Sequence, residues 1–455
     1  MKKLTAILMA LLLVVCCFSA CGGNTTPEDT TEKVVRIGVF EPASGDSGAG
    51  GKKETLGMQY ANSKTPTVEI GGETYKVELV YADNGSDQSK APAAAAELVG
   101  KDVAIVLGSY GSGVSIAASE TFKNAGVAAL GVTCTNPNVT AGNDHYFRIC
   151  FLDPFQGTVL ANFAMSKFNA TKAYCLGELG NEYDQGLISF FTEAFEAAGG
   201  EVIADSFPTN NSDFSSYINK AKSEGCEVLF CPVSIAYATQ IVAQAAQLEV
   251  KFPILGSDTL DDNMVLAAAK NTDIQLYVST FYSEGGNPEF DAGIKEYINT
   301  NAEAKTANGD NDTISAVTAM GYDAYYVALE AMKAAGSVDP AAIKAALAGV
   351  TYTGVSGEIA FDETGDAIRD TAYIKAADTA NEAWVFETQQ TVGADKADDV
   401  EVTDEATEAT EATEATEEAE TSETTEETTE EVADSTAAAS ETTEAAEATN
   451  EAVTE

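Results

Sequence analysis

From residue 34 to about residue 280 the chain alternates short, almost uninterrupted apolar runs with longer amphipathic or alanine-rich segments, in two successive series. In the first, the runs at 34–40, 76–83, 103–107 and 127–131 read as strands. Between them lie a glycine- and serine-rich loop, a short helix from about Glu54, and helices at 90–99 and 114–124. A polar loop at 133–144 and a short strand at 146–149 close that series. The second has helices at 155–168, 183–198, 214–224 and 237–248, with strands at 173–177, 201–206, 228–232 and 254–257. Strands apolar along their whole length are buried on both faces, which a parallel sheet covered by helices on each side provides. Two such series predict an α/β chain of two doubly wound, Rossmann-like lobes with a cleft between them. Beyond a strand at 275–280 come helices at about 288–301, 314–335 and 339–348, a turn-rich stretch at 354–366, and closing strands at 372–374 and 383–386. Asp339-Pro340 supplies a capping acceptor and then a proline at the first helical position.

The two ends are different material. Lys2 and Lys3, an apolar run over 4–18, and Ser19-Ala20-Cys21-Gly22-Gly23 follow the basic, apolar, small-residue order of a secretory signal. The apolar run is too short to span a bilayer comfortably. A cysteine after small residues resembles the lipobox of bacterial lipoproteins, although Phe18 stands where an aliphatic residue is usual. That resemblance implies a signal peptide at 1–20 and a diacylglyceryl thioether on Cys21 as the new N-terminus. Residues 21–33 then form a tether, and the folded part lies outside the cytoplasm, anchored to the cell membrane. Each buried CH2 of such a lipid contributes about 0.8 kcal/mol, so two chains hold a folded domain without a spanning helix. At the other end, residues 401–455 hold 20 Asp and Glu and no Lys or Arg, in Glu-Ala-Thr repeats without aromatic residues. Such a segment buries too little surface to offset chain entropy, so 393–455 is expected to be a disordered acidic tail.

Charge and residue counts exclude several functions. The formal net charge is −47, and the first 400 residues are acidic without the tail, so nucleic acid and anionic lipid headgroups are poor partners. Cys134, Cys150, Cys175, Cys226 and Cys231 form no C-x-x-C pair and read as small buried hydrophobes. The compartment permits a disulfide, Cys226 and Cys231 being nearest in sequence, but the spacing demands none. His145 is the single histidine and reads as a solvated loop residue; a histidine-rich zinc site is excluded, and no Gly-x-Ser-x-Gly elbow accompanies it. The loop Gly108-Ser109-Tyr110-Gly111-Ser112-Gly113 follows a strand and precedes a helix, yet its glycines fall as G-x-x-G-x-G and fail the dinucleotide fingerprint. No cofactor, metal or catalytic residue is expected, and the chain is read as not an enzyme.

The same loop suits a carboxylate. Gly111 and Gly113 let backbone amides approach an anion, Ser112 can donate beside them, and the following helix turns its positive end toward the same point. An ammonium needs the reverse, and Asp258, just after a strand, puts a fixed negative charge at the sheet edge where open α/β folds bind ligands. Ser112 and Thr135 are also suited to helix capping, and Asp258 to capping a helix near Asp262, a role for which Asp261 and Asp262 compete.

Residues 34 to about 390 resemble the type I periplasmic solute-binding proteins, in particular the leucine/isoleucine/valine-binding branch that serves ABC importers. The resemblance is carried by Arg36-Ile37-Gly38-Val39 with Pro42, Ser44 and Gly45, by the loop from Gly108 to Ser115, and by Thr133-Cys134-Thr135. Asn181-Glu182-Tyr183 before Gly186, Asp213-Phe214, Gly256-Ser257-Asp258, and Gly357 with Phe361-Asp362 and Gly365-Asp366 extend it. It implies two lobes joined by three crossovers, lobe I at about 34–152 and 284–354 and lobe II at about 153–283 and 355–390. It further implies a monomer that captures an amino acid, branched-chain by the family's default, and delivers it to ABC permease subunits. Ser112 and Thr135 match the groups that hold the zwitterion's backbone, Asp258 the acid of the second lobe, and Tyr183 a tyrosine of the cleft. Tyr110 and Thr133 are further ligand-binding candidates. The chain departs from the pattern at Gly48-Ala49-Gly50-Gly51 and at Ser234, where aromatic residues are common, so a larger or more polar side chain is admitted. Ser86 and Gly111 stand where some members carry a cysteine pair. A sensor that binds an amide or other small polar solute without transport is the alternative function.

Overall fold

The structure is a computed structural model and describes residues 32–391. The expected signal peptide, Cys21, nearly all of the tether, and the acidic tail lie outside the described residues.

The first sheet has the strand order β2-β3-β1-β4-β5-β6, built from β1 (Val34–Glu41), β2 (Thr67–Ile70), β3 (Glu73–Asp83), β4 (Ile105–Leu107), β5 (Ala129–Gly131) and β6 (Tyr146–Arg148). All its pairings are parallel except the β2–β3 hairpin. Helices α1 (Gly48–Lys64), α2 (Ala91–Val99) and α3 (Ser112–Ala125) connect its strands. The second lobe repeats the plan with α4 (Asp153–Phe168), β7 (Lys172–Glu178), α5 (Glu182–Ala197), β8 (Glu201–Phe207), α6 (Ser215–Ser223), β9 (Val228–Phe230), α7 (Ile235–Gln247), β10 (Ile254–Gly256), α8 (Asn263–Ala269) and β11 (Leu276–Thr280). The chain then returns through α9 (Pro288–Thr300), α10 (Ala302–Ala307), α11 (Ala316–Ala335), α12 (Pro340–Leu347) and the hairpin β12 (Thr351–Gly354) and β13 (Gly357–Ala360). It ends in β14 (Thr371–Asp378) and β15 (Ala383–Thr391), which add antiparallel strands to give the order β15-β14-β11-β10-β9-β7-β8. The expected pair of doubly wound lobes with three crossovers is the fold observed.

In each lobe the strand order reverses beside the first parallel strand, between β1 and β4 and between β7 and β9. The loops leaving these strands diverge to opposite faces, which opens a crevice at their carboxyl ends. The local signals that start the helices are conventional: Asn181 accepts from the amides of Tyr183 and Asp184, Asp262 from Met264, and Asp339 from Ala342.

Three features differ from the sequence expectations. Helix α1 begins at Gly48 rather than near Glu54, because its glycine-rich first turns pack too closely on neighbouring chain for side chains, and this contact overrides low helix propensity. The strand β2 and the short helix α10 were not expected; β2 has only four residues, alternately exposed and buried, before Gly71-Gly72. His145 is partly buried rather than solvated, with Nδ1 2.8 Å from Asp144 Oδ1. The five described cysteines are buried and free, as small hydrophobes would be, and burial pushes the Cys134 thiol up to about 11.

Packing also sets where the cleft residues stand. Helix α11 lies so close to α1 that a Cβ on Gly57 would overlap the Thr318 carbonyl oxygen, and one on Gly321 that of Glu54. Arg148, fully buried at the end of β6, donates to the carbonyls of Cys134 and Asn136 at 3.0 and 2.5 Å and to Thr140 Oγ1 at 3.0 Å. It thereby fixes the loop that carries Thr135. Among the described residues no helix is long and apolar enough to cross a membrane.

Candidate functional site

A cavity of about 450 Å³ lies at both strand-order reversals. Its first wall comes from the loops after β1 and β4, including Asp46, Ser47 and Tyr110–Val114, and its second from those after β7 and β9, including Glu178, Asn181, Tyr183 and Ser234.

Helix α3 opens at Ser112 after Gly111, with no side chain capping its first turn. Its leading amides and its positive end therefore face the cavity unopposed. Ser112 Oγ accepts from Asn136 N at 3.2 Å, which leaves its proton free to donate. The loop is held from behind: Tyr110 N donates to Glu41 Oε2 at 2.7 Å and Tyr146 OH to the Gly108 carbonyl at 2.8 Å. A Cβ on Gly50 would overlap the Tyr110 ring, so the glycine of α1 gives that ring its place.

Across the cleft, Asp258 starts a short turn, Asp258–Leu260, directly after β10 and is 2 % exposed. Tyr183 OH and Gln156 Nε2 both donate to its Oδ1, at 2.7 and 2.8 Å, so the other oxygen is the natural acceptor for a ligand. Burial pushes its carboxyl up to about 6 against those two hydrogen bonds. Asp262, not Asp258, caps α8, and neither Ser112 nor Thr135 caps a helix.

Tyr110, Ser112 and Tyr183 line the cavity, whereas Thr133, Thr135 and Asp258 stand behind its surface. Asp258 is one hydrogen bond behind Tyr183, and its neighbour Thr259 is part of the wall. Thr135 is fully buried and its hydroxyl has no partner; it adjoins Asn136, whose amide reaches Ser112. Thr133 turns elsewhere, donating to Glu54.

Sequence reasoning missed a set of buried acids beside these residues. Glu41 and Glu54 face each other behind Tyr110; burial raises both, Glu54 to about 7, and the Glu54 carboxyl raises Glu41 further by repulsion and by the proton they share, a hydrogen bond that lowers Glu54. Asp153, alongside Thr135, is pushed by burial up to about 7 and has no hydrogen-bond partner on either oxygen. The rule that singled out Asp258, an acid at the carboxyl end of an apolar strand, applies equally to Glu41 at the end of β1. Lys53, next to Glu54, pairs with Asp262 of the second lobe and reaches Asn263 Oδ1 at 2.6 Å. With Asn136 Nδ2 donating to the Glu182 carbonyl at 2.9 Å, these bonds cross from one lobe to the other.

The family model described as periplasmic binding protein matches residues 34–383. The chain belongs to this family. A Leu/Ile/Val-binding protein homologue of Brucella melitensis is 28% identical over 345 residues, covering 73% of this chain and 88% of that protein. The solved leucine-binding protein of Thermotoga maritima is 30% identical with a TM-score of 0.70, over 79% of this chain and 99% of that one. The branched-chain amino acid transporter substrate-binding protein of Streptococcus pneumoniae, solved with isoleucine, is 26% identical with a TM-score of 0.67, over 79% and 99%. The chain is thus a type I periplasmic binding protein of the branched-chain amino acid branch. Its family and structural neighbours are solute-binding proteins, not enzymes, and the family is extracytoplasmic.

Proposed function

We propose that this chain is a substrate-binding lipoprotein of an ABC importer that captures one amino acid between its lobes and presents it to the permease. One observation carries the reading: an uncapped helix end with Ser112 lines the same cavity as Tyr183, whose hydroxyl donates to the buried carboxylate of Asp258 directly behind it. A zwitterion has the matching pair of charges. Its carboxylate takes the amides at Gly111–Gly113 and the Ser112 hydroxyl, and its ammonium takes Asp258, with Thr135 and the Tyr183 hydroxyl completing the polar shell. Charge-assisted hydrogen bonds contribute about 1.5 to 3 kcal/mol each, so three or four supply much of the ~8 kcal/mol of a micromolar complex.

Capture follows from differential contact. With the lobes apart the solute meets one charged wall, and with the lobes together it meets both, so binding shifts the population toward the closed form by that difference. No bond is made or broken. In this reading lobe I comprises residues 34–152 and 284–354 and lobe II residues 153–283 and 355–390, acting as a monomer. The Cys21 lipid keeps the protein at the membrane beside its permease. The relatives named for leucine, isoleucine and valine make a branched aliphatic side chain the starting case for the solute.

A thermal-shift and calorimetric screen of the full chain against the common amino acids and small amides tests this. At least one zwitterion is expected to bind at micromolar concentration and to lose binding when N-acetylated; binding that survives N-acetylation contradicts the role of Asp258. Mass spectrometry of membrane-extracted protein is expected to find a diacylglyceryl group on Cys21, and an unmodified thiol there removes the anchor.

A further inference from the structure

The cavity walls carry four acids, Asp46, Asp87, Glu178 and Asp184, and no lysine or arginine. Asp87 is matched by Lys90 at 3.3 Å. Among the described residues the other three pair with no cation; burial pushes the Asp184 carboxyl well up, toward its neutral form, which leaves Asp46 and Glu178 as the unmatched pair. Asp46 belongs to the first lobe and Glu178 to the second, yet both reach the same group: Tyr237 OH lies 3.4 Å from Asp46 Oδ2 and 3.3 Å from Glu178 Oε1. A hydroxyl has one proton, and this one also accepts from Asn210 N at 3.0 Å, so one of the two carboxylates is always without it. Closing the lobes therefore drives two like charges together at the cleft mouth, which is unfavourable unless something positive comes between them.

Two further side chains point to the same occupant. Ser234 lines the cavity, is 7 % exposed, and its Oγ has no hydrogen-bond partner. Asp184 also lines it, is fully buried, and leaves Oδ1 unpartnered while Oδ2 accepts from Glu178 N at 2.7 Å. Unmatched acceptors in a closed site are costly, and a multivalent donor such as an ammonium or guanidinium satisfies several at once. A bare metal ion is a poor fit, since among the described residues no group of three His, Cys, Asp or Glu is placed to hold one.

We infer that the captured amino acid carries a second positive charge at the end of its side chain, as lysine, ornithine and arginine do, and that Asp46 and Glu178 clasp it across the cleft mouth. This rests on the amino-acid reading above, which already assigns the backbone charges to Ser112 and Asp258; the mouth acids then face the rest of the solute. A long unbranched side chain spans from Asp258 outward, and its cation relieves the repulsion that closure creates. Free diamines lack the carboxylate that the start of α3 requires.

Calorimetry on the full chain distinguishes the possibilities. Lysine or ornithine is expected to bind at least ~10-fold more tightly than norleucine, and arginine more tightly than citrulline, with the preference shrinking as salt is added. The double substitution Asp46→Asn, Glu178→Gln is expected to bring the lysine-to-norleucine ratio close to one. Leucine or norleucine binding as tightly as lysine overturns this inference and leaves the amino-acid reading intact. A diamine binding as tightly as lysine, or no zwitterion binding, overturns the amino-acid reading itself. A lysine preference indifferent to the double substitution overturns the assignment to Asp46 and Glu178.

Discussion

Lys53 of helix α1 and Asp262 of the second lobe form an ion pair in which each side chain is only 2 % exposed. Such a pair contributes little when intact, because both partners lose water, but breaking it leaves a buried charge at a cost of about 3–5 kcal/mol. Opening the lobes returns Asp262 to solvent, so the penalty falls on the closed form more than on the fold. Lys53→Met is therefore expected to weaken ligand binding by two orders of magnitude or more and to increase the radius of gyration in small-angle scattering, with circular dichroism unchanged. Native affinity and compactness would remove the pair from the closing equilibrium.

Asp258→Ala is expected to abolish amino-acid binding, since an ammonium enclosed without its carboxylate costs about 3–5 kcal/mol. Tyr183→Phe removes one donor to the same carboxylate and is expected to weaken binding by about 1.5 to 3 kcal/mol, the usual worth of a hydrogen bond to a charged group. Calorimetry that ranks the two variants the other way round would contradict the arrangement at Asp258.

The buried acids predict opposite pH dependences for stability and for binding. Glu54 and Asp153 are raised to about 7 and Asp258 to about 6, all above their ordinary values. The folded protein thus holds protons that the unfolded chain releases, and stability falls as pH rises. Their favourable contribution is complete below about pH 4 and lost as pH climbs through 6 to 7. The ligand-free melting temperature is expected to rise on acidification from pH 8 to 5. Affinity for an ammonium should instead fall below about pH 6, because the carboxylate it needs becomes protonated. Glu41→Gln removes one of two facing carboxyls and is expected to raise the melting temperature at pH 8 and flatten its pH profile; a variant less stable than the native chain at pH 8 would contradict the pairing with Glu54.

Gly50→Ala tests the packing beneath the binding loop. The added methyl overlaps the Tyr110 ring, and overpacking of this kind typically costs about 1–3 kcal/mol. The ring is expected to shift into the cavity, lowering affinity for long side chains more than for alanine or glycine. Equal losses for all ligands would mean the ring does not border the side-chain space.

The strand and helix order was legible because apolar runs and amphipathic segments alternate with regular spacing, and strand-end loops are where α/β ligands bind. Ser112, Tyr110, Tyr183 and Asp258 emerge from that logic together with the resemblance to a known family. The start of α1 was hidden because three of its first four residues, Gly48, Gly50 and Gly51, have poor intrinsic helix propensity, and only the contacts of Gly50 with Tyr110 and of Gly51 with Pro42 explain the helix. The Lys53–Asp262 pair and the meeting of Glu41 with Glu54 join residues far apart in sequence. The shared hydroxyl of Tyr237 depends on lobe closure, which no local pattern encodes. Thr133 shows the reverse: its position in a binding motif suggested a ligand contact, and the fold gives its hydroxyl to Glu54.

A crystal structure of the protein with its amino acid bound tests the central claim most directly. The account predicts the α-ammonium within hydrogen-bond distance of Asp258 and the α-carboxylate at Ser112 and the first amides of α3, with both lobes touching the solute. A solute whose ammonium lies away from Asp258, or that contacts one lobe alone, would contradict it.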